Sequence, residues 1–503
     1  MAKQKKTKKL FFREHKIKII LTALFICAVF LRSYNLYNSL FFGPEQGIDF
    51  FRIKSIVVDH HPVLVGAKTD IAGVFHGPIY YYLAAIPFLA SRGDPFIIAL
   101  FFILLNCITI FPLYSVCKKL FSVRAGLISA ALFTISFGAI TYTHWLSSHP
   151  LVIPLTAFFL LGIVNFLTGN KKYLILSSVS LALLGQAEFL NYLLFGGILT
   201  LIICFFFKEF KKTSPLLLLL NVGIIFVLGF FHYIIFDYKN QFIMSKSLLG
   251  LFQGKGYYIS YLSVFSQINS QFTQSIGKVF LPFLPSILSL IALLTILVLL
   301  YKNKNTNAKK VLFPTLFIPL ILLLILRHAV LEQFFVYSII PAIILFGFLL
   351  DTVLRKKLII GAIFISIVFS CNLYVWFMYA PQNNFMFFSS TQPDLHLRDE
   401  KKVIDKIYKA ERGKNFSFQS YTIPYWTQDA WEYLFWQYGK SKYGYMPVSE
   451  NGKTLYVIIQ DDPSSESFQQ NWLKNTVSKW GEETGSFRQG IFTVKILKVS
   501  WVK

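Results

Sequence analysis

Long apolar stretches recur along most of the chain, and this feature limits most strongly how it can fold. A transmembrane helix needs about 20 mostly apolar residues. The stretches that approach this length are 17–34, 95–116, 124–143, 149–168, 173–189, 192–207, 215–236, 280–301, 311–327, 331–350 and 358–379. Because lipid offers the backbone no hydrogen-bond partners, each stretch is expected to be helical. We therefore predict an all-α polytopic membrane protein with about eleven transmembrane helices.

Composition indicates lipid, and not nucleic acid, as the main surroundings of the chain. Of its 503 residues, 55% are hydrophobic and 15% are charged, whereas soluble domains carry about 25% charged residues. The formal net charge is +25, but the basic residues fall mostly in short clusters between apolar stretches. That distribution is typical of cytoplasmic membrane loops. The lipid bilayer is thus an expected partner, and nucleic acid is not.

The lysine and arginine clusters also indicate how the chain is threaded. They occur in alternate connections, at 1–16, 118–124, 171–172, 208–212, 302–310 and 355–357. Such clusters mark the cytoplasmic side, so we expect a cytoplasmic N-terminus and an extracytoplasmic C-terminus. No small-residue cleavage site follows the first apolar stretch, which is typical of a retained signal anchor. We expect a multi-pass protein of a bacterial plasma membrane.

Composition further divides the chain into three parts. Charged residues return after about residue 380, with an amphipathic pattern over 394–409 that predicts a helix. Alternating patterns over 454–460 and 490–499 predict strands, as in a small α+β domain. The predicted division is a basic cytoplasmic tail at 1–16, a transmembrane domain at 17–379 and a soluble extracytoplasmic domain at 380–503.

Two connections on the predicted extracytoplasmic side are unusually long. We call residues 35–94 the first long loop and residues 237–279 the second long loop. The first is rich in His, Asp, Gly and Tyr, and the second contains a run of Ser, Gln and Asn. Loops of this length within a compact chain usually have a function. The two loops are therefore the first candidates to carry reactive side chains.

Two carboxylates in the first long loop are candidates for catalysis. If residues 45–58 form a helix, Glu45 and Asp49 share one face, and Arg52 joins that face. Two neighbouring carboxylates can raise the pKa of one of them, which then accepts a proton near neutral pH. The same spacing also fits a solvated helix face with ordinary charge pairing. Spacing alone leaves both explanations open.

Other polar side chains fall at the same ends of the predicted helices, where ionisable groups bordering lipid indicate a site. They are His76, Tyr80, Tyr81, His144, His149, Gln186, Glu188, Arg327, His328 and Glu332. Structural explanations remain open, because tyrosines collect in the headgroup layer and Arg327 could pair with Glu332. Together the groups could surround one cavity, in which Arg52, His76 and Arg327 would offset phosphate charge.

Motifs of several other enzyme classes are absent from the sequence. It has no P-loop, dinucleotide-binding glycine pattern, HExxH or EF-hand loop, which argues against ATP-driven and protease chemistry. His144 and His149 are five residues apart and do not share a helix face. The five cysteines lie within or at the edges of apolar stretches and lack metal-binding spacing. We expect no cofactor and no metal, although Glu45 and Asp49 could hold a divalent cation.

From the first span to about residue 350, the chain resembles the GT-C glycosyltransferases. Within them it is similar to the family-39-like branch, which includes protein O-mannosyltransferases and lipid A aminoarabinose transferases. The resemblance rests on elements in the expected order: the acidic first long loop with Glu45 and Asp49, the segment His76–Tyr82, the junction Tyr142–Pro150, and Leu331–Phe335 followed by Pro341.

The resemblance implies a site on the extracytoplasmic face and a polyprenyl-phosphate-linked sugar as donor. It implies that a first-loop carboxylate is the base, with Glu45 in the best-matching place and Asp49 one turn later. His76 stands where relatives carry a lysine that contacts the donor phosphate. His149 lies where many relatives have a second acidic residue. The hairpin with Arg327, His328 and Glu332 matches a charged element that relatives place at the donor phosphate.

The resemblance therefore predicts a glycosyltransferase that moves a sugar from a lipid phosphate to an acceptor outside the cytoplasm. The acceptor, which could be a protein, a lipid or a polysaccharide, is left open. Two alternatives from other classes are a transporter or flippase of a lipid-linked substrate, and a non-catalytic membrane scaffold. A transporter would be favoured by charged residues in mid-span and by repeat symmetry, and a scaffold by dispensable carboxylates.

The predicted orientation can be tested with alkaline phosphatase, which is active only outside the cytoplasm. We expect an active enzyme when it is fused after the last residue and an inactive one when it is fused after Lys119. The physical reason is the preference of basic clusters for the cytoplasmic side. Activity of the Lys119 fusion alone would show that the chain is threaded in the opposite direction.

Overall fold

The computed structural model describes residues 2–253, 258–282, 286–379, 394–413, 415–424, 426–448 and 452–499. The helices before the C-terminal domain are Ala2–Ser33, Leu36–Ser39, Pro44–Val57, Ile79–Ser91, Pro95–Cys107, Ile110–Leu120, Val123–Ile135, Phe137–Thr143, His149–Leu151, Val152–Leu167, Lys171–Tyr173, Leu174–Ala187, Asn191–Phe205, Phe207–Lys211, Pro215–Ile224, Ile225–Phe230, Phe231–Lys239, Ile243–Phe252, Tyr261–Phe280, Ser286–Lys302, Thr306–Leu326, Glu332–Ser338, Ile339–Lys356 and Leu358–Tyr379.

Seven helical segments in the described ranges are long and apolar enough to cross a membrane. They are Glu14–Ser39, Pro95–Leu120, His149–Leu167, Pro215–Lys239, Thr306–Leu326, Glu332–Lys356 and Leu358–Tyr379. An eighth is the pair Val123–Ile135 and Phe137–Thr143, which is bent by 53°. The chain is thus a multi-pass membrane protein, as predicted.

The predicted number of about eleven spans is not exact. Each of the predicted stretches falls on one helix or on helices that follow one another closely, but three stretches rest mainly on a single short helix: Leu174–Ala187, Asn191–Phe205 and Ser286–Lys302. The first two have 14 and 15 residues, so at 1.5 Å per residue they are shorter than the roughly 30 Å hydrocarbon layer. Hydropathy identified the helices correctly, but it did not distinguish those long enough to cross the membrane from the shorter ones.

The helix Pro44–Val57 in the first long loop confirms the helix predicted over 45–58. Pro44 occupies its first turn, where the missing N–H breaks no hydrogen bond. The Gln46 side chain accepts a hydrogen bond from the Gly43 N–H at 3.1 Å and donates to the Leu146 carbonyl at 3.2 Å. These contacts attach the start of this helix to the junction before His149–Leu151.

The second half of the first long loop is attached to the helix Leu174–Ala187. His76 pairs through its backbone with Gly66 and Ala67, at 2.7 and 2.9 Å, and the Gly77 N–H donates to the Gln186 carbonyl at 2.8 Å. A Cβ on Gly77 would lie 2.5 Å from the Gln186 side chain, so this close approach requires glycine. The helix Ile79–Ser91 then starts directly after Pro78.

The second long loop is more regular than its composition predicted. Its Ser-, Gln- and Asn-rich part is the 20-residue helix Tyr261–Phe280. Val264, Ile268, Phe272 and Ile276 recur every four residues and are buried along one face. The polar residues cover the other face, so low overall hydrophobicity concealed an amphipathic helix.

After residue 394, the described chain forms a small α+β domain, as predicted. Its strands are β1 (Phe416–Tyr421), β2 (Thr454–Gln460), β3 (Glu482–Gln489) and β4 (Phe492–Lys498), in the order β1-β2-β4-β3. β1 runs parallel to β2, and the other pairs are antiparallel. The helices are Leu397–Glu411, Asp429–Leu434, Phe435–Gly439, Lys440–Tyr443, Glu466–Asn475 and Val477–Lys479. The predicted domain boundary at 380 falls in 380–393, outside the described residues.

The C-terminal domain packs directly on the helix Pro44–Val57. Gly47 faces the backbone of Ala430, where an added Cβ would lie 2.3 Å from the Ala430 nitrogen. The Tyr433 ring packs edge-on against Phe50 at 5.2 Å between centroids, and its hydroxyl donates to the Gly93 carbonyl at 2.7 Å. This helix is therefore held between the bundle and the C-terminal domain.

We expect Gly47→Ala to loosen the C-terminal domain. The new methyl group would collide with backbone atoms of Ala430, and overpacking of this kind costs about 1–3 kcal/mol. Thermal unfolding of the detergent-purified protein, together with limited proteolysis of the C-terminal domain, measures the effect.

Gly196→Ala is the matched control, because a Cβ there meets nothing within 4 Å. This helical control should be neutral or slightly stabilising. Equal behaviour of the two variants would contradict the tight contact at Gly47.

Candidate functional site

A cavity of about 1320 Å³ opens beside the helix Pro44–Val57. It gathers these predicted site residues on its walls: Glu45, Asp49, Arg52, His76, His149, Glu188 and His328. Apolar side chains form other parts of the wall, including Leu193, Leu251 and Leu326. The predicted convergence of polar groups on one cavity is thus seen for these residues, and the cavity is amphipathic.

Burial distinguishes the two candidate carboxylates. Glu45 is exposed at the first turn of its helix, whereas Asp49 retains only 8% of its accessible surface. Burial raises the pKa of Asp49 to about 7, and the Tyr81 hydroxyl and the nearby Arg52 charge limit that rise. Tyr81 donates its hydrogen bond to Asp49 Oδ1 at 2.5 Å. Asp49 is therefore poised to gain and lose a proton near neutral pH.

Arg52 connects the helix to the rest of the first long loop. Its guanidinium donates to the Gly66 carbonyl at 3.2 Å and lies 5.9 Å from the centre of the Tyr81 ring. Because the side chain also lines the cavity, it places a permanent positive charge near Asp49. This arrangement agrees with the predicted shared face of Glu45, Asp49 and Arg52.

Three further buried groups meet on the cavity wall. Glu188 lies 3.1 Å from His149 Nε2 and 3.7 Å from His76 Nδ1. The residues come from separate elements: the loop before Pro78, the turn His149–Leu151 and the C-terminal end of the helix Leu174–Ala187. Burial lowers the pKa of His76, so its neutral form is favoured. We call His76, His149 and Glu188 the His–Glu cluster.

Of the hairpin residues that were predicted to lie at the donor phosphate, only some reach the cavity. His328 lines the cavity, but Arg327 does not. Arg327 donates from Nε to the Ile259 carbonyl at 3.2 Å, and its guanidinium lies 4.4 Å from the centre of the Tyr261 ring. Glu332 does not line the cavity either and pairs with Lys278 at 2.7 Å. A phosphate-binding role for Arg327 stays a prediction that these positions do not favour.

The remaining predicted pocket residues lie behind the cavity wall. Tyr80 and His144 retain 2% and 1% of their accessible surface and are not part of the lining. Gln186 donates to the Leu228 carbonyl at 2.6 Å. Tyr81 is not part of the lining but contacts two residues that are, Asp49 and Arg52. These residues shape the wall, and direct contact with a substrate stays untested for them.

Some lining residues were missed by the sequence reasoning. They are Lys68, Asp70 and Thr427. Lys68 and Asp70 stand in the polar run Lys-Thr-Asp of the first long loop, which was a usable signal. Thr427 belongs to the C-terminal domain, more than 370 positions after Asp49 in sequence, and no local pattern could have placed it beside the cavity.

Comparison with solved structures gives the fold a precedent. The crystal structure of ArnT from Cupriavidus metallidurans bound to undecaprenyl phosphate aligns with 94% of this chain and 97% of its own, with a TM-score of 0.59 and 9% identity. Arabinofuranosyltransferase AftD from Mycobacteria aligns with 97% of this chain and 40% of its own, with a TM-score of 0.53 and 12% identity. The chain has the GT-C fold.

The GT-C fold confirms what the sequence resemblance implied about architecture. At 9–12% identity the likeness concerns the fold, and it assigns no residue a role. No protein-family model matches the sequence, and no curated protein matches it. Roles within the GT-C fold must therefore be argued from the residues of this cavity.

We expect Tyr81→Phe to raise the pH at which Asp49 ionises. The Tyr81 hydroxyl stabilises the charged carboxylate and so lowers the pKa of Asp49. Without it, burial raises that pKa further. Infrared difference spectra of the carboxylate band, with Asp49→Asn subtracted, measure the midpoint. An unchanged or lower midpoint would contradict the hydrogen bond. The matched control is Tyr82→Phe, because the Tyr82 hydroxyl donates to the Val63 carbonyl and not to Asp49.

Proposed function

We propose that this protein is a glycosyltransferase that moves a sugar from a polyprenyl-phosphate-linked donor to an acceptor at the extracytoplasmic face of the membrane. The observation that carries the proposal is Asp49, a buried carboxylate with a pKa near 7, on the wall of a large amphipathic cavity. The fold supports it, because ArnT binds undecaprenyl phosphate in its structure and AftD is an arabinofuranosyltransferase.

The cavity offers what a lipid-linked donor requires. Leu193, Leu251 and Leu326 are apolar surface suited to a prenyl chain. Arg52 and Lys68 contribute permanent positive charges to the same cavity, and such charges stabilise a phosphate group. The ArnT structure carries undecaprenyl phosphate, a ligand with this same combination of a long apolar chain and an anionic head.

The proposed reaction is one direct displacement. The acceptor hydroxyl or amine attacks the anomeric carbon of the donor sugar, and the bond from that carbon to the phosphate oxygen breaks. The bonding electrons leave with polyprenyl phosphate, and Arg52 stabilises the negative charge that develops there. Asp49 takes the proton from the acceptor. Glu45, exposed one turn earlier, is placed to orient the acceptor.

We expect Asp49→Asn to reduce sugar transfer about 100- to 10,000-fold, the range usual for loss of a general base. In wild type, transfer should rise with pH through about 7, because Asp49 must be ionised to accept the proton. The measurement is transfer of radiolabelled sugar from polyprenyl phosphate in membranes, with protein level checked in parallel.

Two variants make this test specific. Glu45→Gln should retain more activity than Asp49→Asn, since Glu45 is not the proton acceptor in this scheme. Glu466→Gln removes an exposed carboxylate of the C-terminal domain and should match wild type. If Asp49→Asn transfers sugar at the wild-type rate, or if no lipid-linked donor is consumed, the proposal is wrong.

A further inference from the structure

The His–Glu cluster has the composition and spacing of a metal site. One ligand atom from each of His76, His149 and Glu188 lies within 4.8 Å of the others, and all three side chains are buried. For a tetrahedral site with bonds of 2.0–2.1 Å, neighbouring ligand atoms are about 3.4 Å apart. Glu188 Oε2 lies 3.1 Å from His149 Nε2, and Glu188 Oε1 lies 3.7 Å from His76 Nδ1, so both histidines lie near this ligand spacing from the carboxylate.

Two histidines and one carboxylate are a donor set that suits Zn²⁺. Sites of this kind have three protein ligands and leave a fourth position open. All three residues line the cavity, so an ion held by them would direct its open position toward the cavity interior. The Phe189 N–H donates a 3.3 Å hydrogen bond to Nδ1 of His76, and this contact uses the lone pair that the ion would take. The ion would replace this long contact.

Neighbouring groups already orient the proposed ligands. The His149 ring stacks on Trp145 at 4.4 Å with an angle of 4° between the planes. Its Nδ1 lies 3.3 Å from the Ser147 hydroxyl, which leaves Nε2 directed at Glu188. Glu188 Oε1 accepts from the Leu190 N–H at 3.4 Å. Metal ligands in proteins commonly have partners of this type, which set ring orientation and tautomer.

We propose that His76, His149 and Glu188 bind one divalent metal ion, with Zn²⁺ the best chemical match, and that its open position holds a phosphate oxygen in the cavity. This departs from the expectation of no metal, which rested on the cysteines, on Glu45 and Asp49, and on the His144–His149 spacing. The metal site stands on geometry alone, whereas the phosphate part rests on the proposed function. The ion would supply charge that Arg327, directed elsewhere, does not supply to the cavity.

The first experiment measures metal binding without any sugar donor. Full-length protein in detergent is stripped with a chelator and titrated with Zn²⁺ by calorimetry. We expect one ion per chain, and at least about 100-fold weaker binding for His149→Ala and for Glu188→Gln. His328→Ala removes a cavity histidine outside the cluster and should bind as wild type does.

Glu188→Gln retains the size of the side chain and keeps the test valid if His149→Ala does not fold. Absence of one-to-one binding, or equal affinity in wild type and Glu188→Gln, would overturn the metal site. The three groups would then be a buried ion-pair cluster.

The second experiment tests the open position with inorganic phosphate. Phosphate should bind at least about tenfold more tightly to Zn²⁺-loaded than to stripped wild type, and the difference should vanish in Glu188→Gln. Equal binding would overturn the phosphate part while leaving the ion. If transfer activity is absent but both titrations succeed, the glycosyltransferase proposal fails and the metal site remains.

Discussion

The position of the helix Pro44–Val57 is the constraint on which the cavity depends. On one side, Gln46 and Asp49 connect it to the bundle through the Leu146 carbonyl and the Tyr81 hydroxyl. On the other side, Gly47 allows the backbone of Ala430 to approach closely. A helix in a connecting loop would otherwise be free to tilt. Because it is held on both sides, Glu45, Asp49 and Arg52 keep a defined place on the cavity wall.

The C-terminal domain therefore has a mechanical part in the site. Beyond the Gly47 contact, the Tyr433 ring packs against Phe50, and Lys401 pairs with Asp94 at 3.3 Å across the same interface. Thr427 reaches the edge of the cavity itself. Loss of the domain would remove one of the two surfaces that hold the helix Pro44–Val57, even if no residue of the domain touched a substrate.

Burial gives the cavity its chemistry. An exposed aspartate is fully ionised at neutral pH, but Asp49 is shielded from water and its pKa rises to about 7. Partners keep this burial tolerable, since a buried polar group without a hydrogen bond destabilises the fold. The same reasoning applies to the His–Glu cluster, where Glu188 lies 3.1 Å from His149 Nε2 and accepts from the Leu190 N–H, and the Phe189 N–H donates to His76.

Local sequence patterns predicted the elements well where periodicity was strong. The helix over 45–58, the helix near 394–409 and two strands of the C-terminal sheet were found within a few residues of their observed bounds. The helix Tyr261–Phe280 was missed, because its polar face dominates its composition. The sequence left open an ion pair between Arg327 and Glu332, but Arg327 contacts Ile259 and Glu332 contacts Lys278.

The sequence by itself determined the membrane class, the helices, the C-terminal α+β domain and the carboxylates worth testing. These follow from hydrophobicity and from spacing within one element, which the chain encodes locally. Only the tertiary structure decided that Asp49 is the buried carboxylate and that His76, His149 and Glu188 meet. Burial and convergence depend on how separate helices pack, and residues on different elements leave no periodic signal of their contact.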